Sequence, residues 1–275
     1  MKPVNFDYAR PADLSAAIAL AKNAGSNVKL IAGGQSLGPM LNLRLVQPDL
    51  LIDITAIPEL TRCDQKGDGL FIGSCVTHAD IEDGRIPDVT GGAMRAVASG
   101  IAYRAVRNRG TIGGSLVHAD PSGDWISALA ALGAHAVIRG PKRERRVPVE
   151  ALMTGVFECD LAGGDILAGI DVRRVSRSAR WGYYKHCRKT GEFARAIGAF
   201  LHDPEPSVCR AVIGATGSRP IVFADAASVL RGKPEGEIDR GAVERAMMAH
   251  GMTDPIEQQI HFVCLRRAIE QARRR

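Results

Sequence analysis

The residues best suited to chemistry in this 275-residue chain are two short glycine loops, Ala32-Gly33-Gly34-Gln35-Ser36 and Thr111-Ile112-Gly113-Gly114-Ser115. Each puts two glycines and a hydroxyl at a turn. Glycine reaches positive φ without a Cβ clash, so successive N–H groups can converge on one anion. Ser36, Thr111 and Ser115 add hydroxyl donors. One Gly-Gly-x-Ser is usually a plain tight turn. Two suit a diphosphate held from both sides, and spacing alone leaves turn and dinucleotide equally open. The chain has no GxxxxGK[ST] and neither loop reads GxGxxG, which disfavours an NTP loop and a Rossmann NAD site.

These loops need elements to hold them. A helix over Pro11 to Ala24 comes first: Pro11 suits its first turn, Leu14, Ala17, Ile18 and Ala21 share one face, and Gly25 suits the stop. A strand over Val28 to Ala32 then runs into the first loop. A short helical or turn segment to Leu45 and a strand over Leu50 to Ile54 complete a small parallel α/β unit. Strands are also expected at Leu70 to Cys75 and Ile166 to Val172, with a hairpin of Ala134 to Arg139 and Arg145 to Pro148 around Gly140-Pro141. Thr77 or Asp80 opens a brief helix, Ile86 to Ser99 reads as helical despite Gly91-Gly92, and Asp124 begins a helix to Leu132. The polar, basic stretch Arg173 to Arg180 marks a domain boundary. Beyond it the pattern gives strands over Gly182 to Cys187, Ala194 to His202 and Val208 to Ala215. Helices over Phe223 to Arg231, Asp239 to His250 and from Ile256 onward follow.

Composition narrows the class. Hydrophobic residues at 45% and charged residues at 24% are an ordinary globular balance, and the length suits two domains. The net charge of +6 gathers partly in Lys142, Arg143, Arg145 and Arg146 and in the tail Arg273 to Arg275. No nucleic-acid reading motif accompanies them, so a solvated hairpin and a frayed terminus are the better reading. The six cysteines are scattered, with no CxxC and no zinc spacing, and there is no HExxH. Iron–sulfur clusters need grouped thiolates, so none is expected on this chain. The first residues form no apolar signal region, and no run approaches the roughly 20 apolar residues of a membrane span. The expected location is the cytoplasm, free or docked at the inner face of the membrane.

Taken together, AGGQSLGPMLNLRL, NRGTIGGSLVHADPSGDW and YYKHCRKTGEFARAIGA resemble the medium, FAD-binding subunits of the carbon monoxide dehydrogenase and xanthine dehydrogenase family of molybdenum hydroxylases. The resemblance runs over nearly the whole chain. It implies an α+β protein: a two-lobed FAD-binding domain of the vanillyl-alcohol oxidase (PCMH) type at 1–175, with lobes at about 1–55 and 56–175. A smaller α+β domain of the carbon monoxide dehydrogenase flavoprotein type follows at 176–275. It further implies that Ala32 to Ser36 and Thr111 to Ser115 clasp the FAD pyrophosphate and nearby ribityl oxygens. Asp124 then hydrogen-bonds the cofactor, Lys185 lies near the isoalloxazine, and Phe193 flanks the ring. Gln35 and Phe193 stand where carbon monoxide dehydrogenases carry histidine and tyrosine, which weakens carbon monoxide as the substrate and leaves a heterocycle or aldehyde equally open. The implied partners are a large molybdenum-cofactor subunit and a small subunit with [2Fe–2S] clusters, as a dimer of heterotrimers, together with an external electron acceptor.

Plainer readings stand beside these roles. Asp124 suits a helix N-cap, Lys185 an exposed edge, and Phe193 the core. His78, His118 and His186 are expected to make local hydrogen bonds, and Trp125, Trp181, Tyr183 and Tyr184 to serve packing or an interface. A stand-alone flavin oxidoreductase, an NAD-binding reductase and a non-catalytic assembly subunit remain as rivals.

Overall fold

Three short strands, β1 (Asp7–Ala9), β2 (Val28–Ile31) and β3 (Leu50–Asp53), form a parallel sheet in the order β1-β3-β2. They belong to a computed structural model that describes residues 2–23, 25 and 27–274. Helix α1 (Leu14–Asn23) starts later than its proline suggests, because Asp13 Oδ1 accepts from Ala16 N at 2.8 Å and fixes the first turn. Ala24, the expected last residue, lies outside the described residues, as does Arg275 in the tail. Leu14 and Ala17 pack on Ile52, Ile54 and Ile57. Helix α2 (Leu37–Asn42) follows the first glycine loop directly. Strand β1 escaped the sequence reading; three residues, two of them exposed, leave no alternation to detect.

Next come α3 (Pro58–Thr61), β4 (Cys63–Lys66), β5 (Gly69–Gly73), α4 (His78–Glu82), α5 (Ala93–Ser99), α6 (Arg104–Arg107), α7 (Ile112–His118) and α8 (Asp124–Ala131). After α8 lie β6 (His135–Arg139), β7 (Glu144–Pro148), α9 (Val149–Leu152), the hairpin β8 (Met153–Gly155) and β9 (Glu158–Cys159), and β10 (Ile166–Arg173). Five of the strands make an antiparallel sheet in the order β4-β5-β10-β6-β7. Thr77 opens α4 with a capping box: its hydroxyl accepts from Asp80 N, and the Asp80 carboxylate accepts from Thr77 N, both at 3.1 Å. The helix expected from Ile86 shrinks to α5, because Gly91 and Gly92 both sit at positive φ (59° and 86°) and Gly92 becomes the N-cap. The second glycine motif is itself helical: Thr111 caps α7, and Gly113 and Gly114 lie within it.

The last part is a four-stranded antiparallel sheet, β11 (Arg180–His186), β12 (Ala196–Asp203), β13 (Val208–Gly214) and β14 (Ile221–Phe223), followed by α10 (Arg240–Ala249) and α11 (Pro255–Arg273). The helix expected over Phe223 to Arg231 is instead the end of β14, where Phe223 pairs with Ala211, and a single 3₁₀ turn at Ala226–Val229 that Asp225 caps. One face of this sheet packs on α11, where a Cβ on Gly182 or Gly198 would come within 1.8 Å or 2.3 Å of helix carbonyls. The other face packs on α8, all eight of whose residues are buried. No helix among the described residues is long and apolar enough to cross a membrane.

Candidate functional site

The two glycine loops meet at one contact. Gly33, at the end of β2, packs so closely on the chain before α7 that a Cβ there would stand 2.0 Å from Arg109 O and 2.8 Å from Gly110 Cα. Only glycine permits that approach. Gly34 supplies the positive φ of 71° that turns the chain into α2. The side chain of Gln35 donates back to Gly33 O at 3.2 Å and stiffens the loop. Ser36 stands at the N-cap of α2 but caps nothing with its side chain. Among the described residues, the amides of Gly34, Gln35 and Ser36 donate to no protein acceptor. The first loop therefore leaves three donors free beside a helix start.

The second loop is built differently. Ile112 N donates to Val76 O, Gly113 N to Ser74 O, Gly114 N to Thr111 Oγ1 and Ser115 N to Thr111 O. Its amides are engaged, so it is not a nest of free N–H groups. Gly113 is required by packing, since a Cβ would stand 2.3 Å from Ser74 Cβ. What this loop offers is the Ser115 hydroxyl and a bare glycine surface at Gly114. Ser74 adds a buried hydroxyl without a hydrogen-bond partner among the described residues. Such a group is costly unless something else satisfies it.

Both loops open onto one cavity of about 630 Å³, well inside the range of small-molecule sites. Ala32 to Ser36, Thr111, Gly113, Gly114, Ser115, Asp124 and Phe193 line it. Ile112 does not, being a fully buried core side chain, and neither does Lys185. Phe193 lies at the mouth with 72% of its surface exposed, which rules out the core reading. Ser74, Tyr103 and Phe157 line the cavity too and were not anticipated. Phe157 sits in the β8–β9 turn at a positive φ of 58°, its ring 5.0 Å from His118, and nothing in so short a hairpin announces it.

Asp124 is the first residue of α8, Gly123 being the N-cap, so the capping role is excluded. Its buried carboxylate accepts from Tyr183 Oη at 2.7 Å and from Lys185 Nζ at 3.1 Å. Burial pushes the Asp124 carboxyl up, while the Lys185 ammonium and the Tyr183 hydroxyl pull it back. Burial, then the Asp124 charge, raises the Tyr183 phenol well above its ordinary range. Lys185 also donates to Gly100 O at 2.9 Å. It stands behind Asp124 as the fixed counter-ion of a carboxylate rather than as a free cation facing the cavity. Strand alternation explains the grouping, since Trp181, Tyr183 and Lys185 share the face of β11 turned to α8. That same alternation was the signal for Tyr183, which sequence reading left as packing or interface.

The histidines near the cavity do local work. His78 Nδ1 accepts from Trp125 Nε1 at 3.1 Å, and burial, then the nearby Arg107 charge, lowers its pKa to about 4. Burial also lowers His118, against the opposing pull of Asp120. The six cysteines are free thiols, and among the described residues no group of three or more His, Cys, Asp or Glu is placed to hold a metal ion.

Free amides on one loop, an orphan hydroxyl beneath the other and a largely apolar cleft between them suit a ligand with a polar middle and flat, apolar ends. FAD has that form. The family described as the FAD binding domain in molybdopterin dehydrogenase matches residues 4–172. The chain is 33% identical over 240 residues to the caffeine dehydrogenase subunit beta of Pseudomonas sp. (strain CBB1), covering 86% of this chain and 81% of that one. It is 37% identical over 196 residues to the carbon monoxide dehydrogenase medium chain of Hydrogenophaga pseudoflava, covering 71% and 68%. Among solved structures, carbon monoxide dehydrogenase from Hydrogenophaga pseudoflava lacking the Mo-pyranopterin moiety superposes with a TM-score of 0.87 at 31% identity, over 100% of this chain and 99% of that one. The glycine-lined cleft and these likenesses agree: the chain belongs to the FAD-binding domain family of the molybdopterin dehydrogenases.

Proposed function

We propose that this chain is the FAD-holding, electron-relaying subunit of a heteromeric molybdenum hydroxylase. The observation that carries the reading is the single cleft onto which both glycine loops open in a chain of this family. FAD held there would supply the redox chemistry that links [2Fe–2S] clusters on a small partner subunit to an external acceptor. The protein's own work is to bind, orient and insulate. The free amides of Gly34 to Ser36 and the hydroxyls of Ser36, Ser74 and Ser115 hold the pyrophosphate and ribityl oxygens. Asp124, fixed by Tyr183 and Lys185, presents a carboxylate to the cofactor, and Phe193 covers a ring at the mouth. Lys185 acts through Asp124, and Ile112 through the packing that seats α7.

The reaction with substrate belongs to a large molybdenum-cofactor subunit, and a cytoplasmic dimer of heterotrimers is the assembly we assign. Within the chain we divide a FAD-binding unit at 1–175, with lobes at about 1–55 and 56–175, from a C-terminal α+β unit at 176–275. An absorption spectrum of the purified chain, alone and copurified with its genomic neighbours, tests the reading. Flavin bands, FAD released by acid and copurifying iron–sulfur and molybdenum subunits are expected. Colourless protein in both preparations overturns it.

A further inference from the structure

Part of the cleft wall, Ile101 to Tyr103, belongs to a non-helical stretch that begins at Gly100 and whose conformation is unfavourable by itself. Ala102 has φ 44°, in the left-handed region that L-residues other than Asn and Asp avoid unless surroundings impose it. Its three successive carbonyls are all taken by cations. Lys185 donates to Gly100 O, while one nitrogen of Arg107 donates to both Ile101 O and Ala102 O at 2.9 Å. Arg107 is in turn locked by a two-point pair with Glu82: Nε to Oε2 at 2.8 Å and Nη2 to Oε1 at 3.0 Å. The Arg107 side chain is only 12% exposed, so this is a built contact rather than a surface ion pair.

The wall also supports the mouth. Gly191, at φ 89°, packs on Ala102 so tightly that a Cβ would stand 2.9 Å from Ala102 O. Two residues later comes Phe193, lining the same cavity as Ile101, Ala102 and Tyr103. A chain of direct contacts thus runs from Glu82 through Arg107 and the 101–102 carbonyls to the 191–193 loop.

We propose that Arg107, locked by Glu82, is a positioning residue of the cofactor cleft: it holds the Ile101 and Ala102 carbonyls, keeps Ala102 in its strained form and so seats the loop that carries Phe193. The inference rests on the reading of this cleft as the FAD site. A lysine cannot replace Arg107 fully, because one ammonium lacks the planar fork that serves a carboxylate and two carbonyls together.

The test uses the full chain, with hydrogen exchange on the apo form and FAD titration. If the wild type binds no FAD, the cofactor reading itself fails. Given wild-type binding, Arg107→Met is expected to keep the far-UV CD spectrum and to speed exchange about tenfold at 100–104 and 188–194, leaving α8 and β12 protected. It should also raise the FAD Kd about tenfold, with Arg107→Lys recovering only part of that loss. Should Arg107→Met fail to fold, Glu82→Gln carries the test and must give the same local pattern more weakly. Exchange and Kd within about twofold of wild type overturn the proposal. Exchange that quickens evenly through the chain does so too, since plain destabilisation gives that result.

Discussion

Asp124 takes its ionisation from its surroundings, and they pull both ways. Burial disfavours the carboxylate, while the Lys185 ammonium, the Tyr183 hydroxyl and a backbone amide at Asp124 oppose it. Removing one partner of such a pair leaves the other buried and unpaired, which typically costs about 3–5 kcal/mol. Lys185→Met is therefore expected to lower Tm more than the double variant Lys185→Met/Asp124→Asn, in which no charge is stranded. Thermal melts of the two single variants and the double check this; simple additivity of the two losses would show that the pair is not coupled. Asp124 and Lys185 were named from sequence through family resemblance, which gives a position without its partners. That the two are bonded to each other was not legible, because the alternation of β11 says which residues share a face but not what that face meets.

At the scale of elements, the two glycine motifs look alike in sequence and act differently. The first ends a strand and leaves its amides free; the second starts α7 and engages them. Sequence reading placed both at turns, which holds for the first only; the second is helical, and Gly113 is a packing glycine whose demanding neighbour, Ser74, is far away in the chain. The helix expected from Ile86 failed for a related reason: a glycine pair was weighed as a propensity loss when it is a left-handed N-cap. Geometry separates necessary from replaceable glycines. Gly33→Ala drives a Cβ into Arg109 O and must push the loops apart, an overpacking cost of roughly 1–3 kcal/mol, and it should abolish or severely weaken FAD retention. Gly38, in the first turn of α2, has no atom within 4 Å of where a Cβ would stand. Gly38→Ala should leave FAD content unchanged and stability equal or up to about 1 kcal/mol greater. Chemical denaturation with released-flavin assays on both variants compares them directly, and flavin loss of equal size in the two would show that the Gly33–Arg109 contact is not what seats the loops.

For the whole molecule, the basic stretch after β10 reads as a boundary in sequence, yet apolar packing continues across it. One buried cluster joins Leu70, Ile72, Ile170 and Val172 with Trp181, Ala199, Leu201 and Val212, and α8 lies within it as the shared layer. The Asp124 carboxylate of α8 and the Lys185 ammonium of β11 cross the same seam, as does the contact of Gly191 with Ala102. Linker composition reports where the backbone is polar, and a core contributed from both sides leaves no mark there. The two units are therefore expected to unfold together. Heating the FAD-loaded chain should give one transition, with the far-UV signal and the rise in released-flavin fluorescence coinciding, as in an all-or-none process. A fragment ending at residue 175 would expose the α8 face that β12 and β13 cover, and should be aggregated or unfolded and free of flavin. Two resolved transitions, or a soluble fragment that keeps FAD, would mean that the C-terminal unit is an appendage and that the cleft is stabilised from the N-terminal side alone.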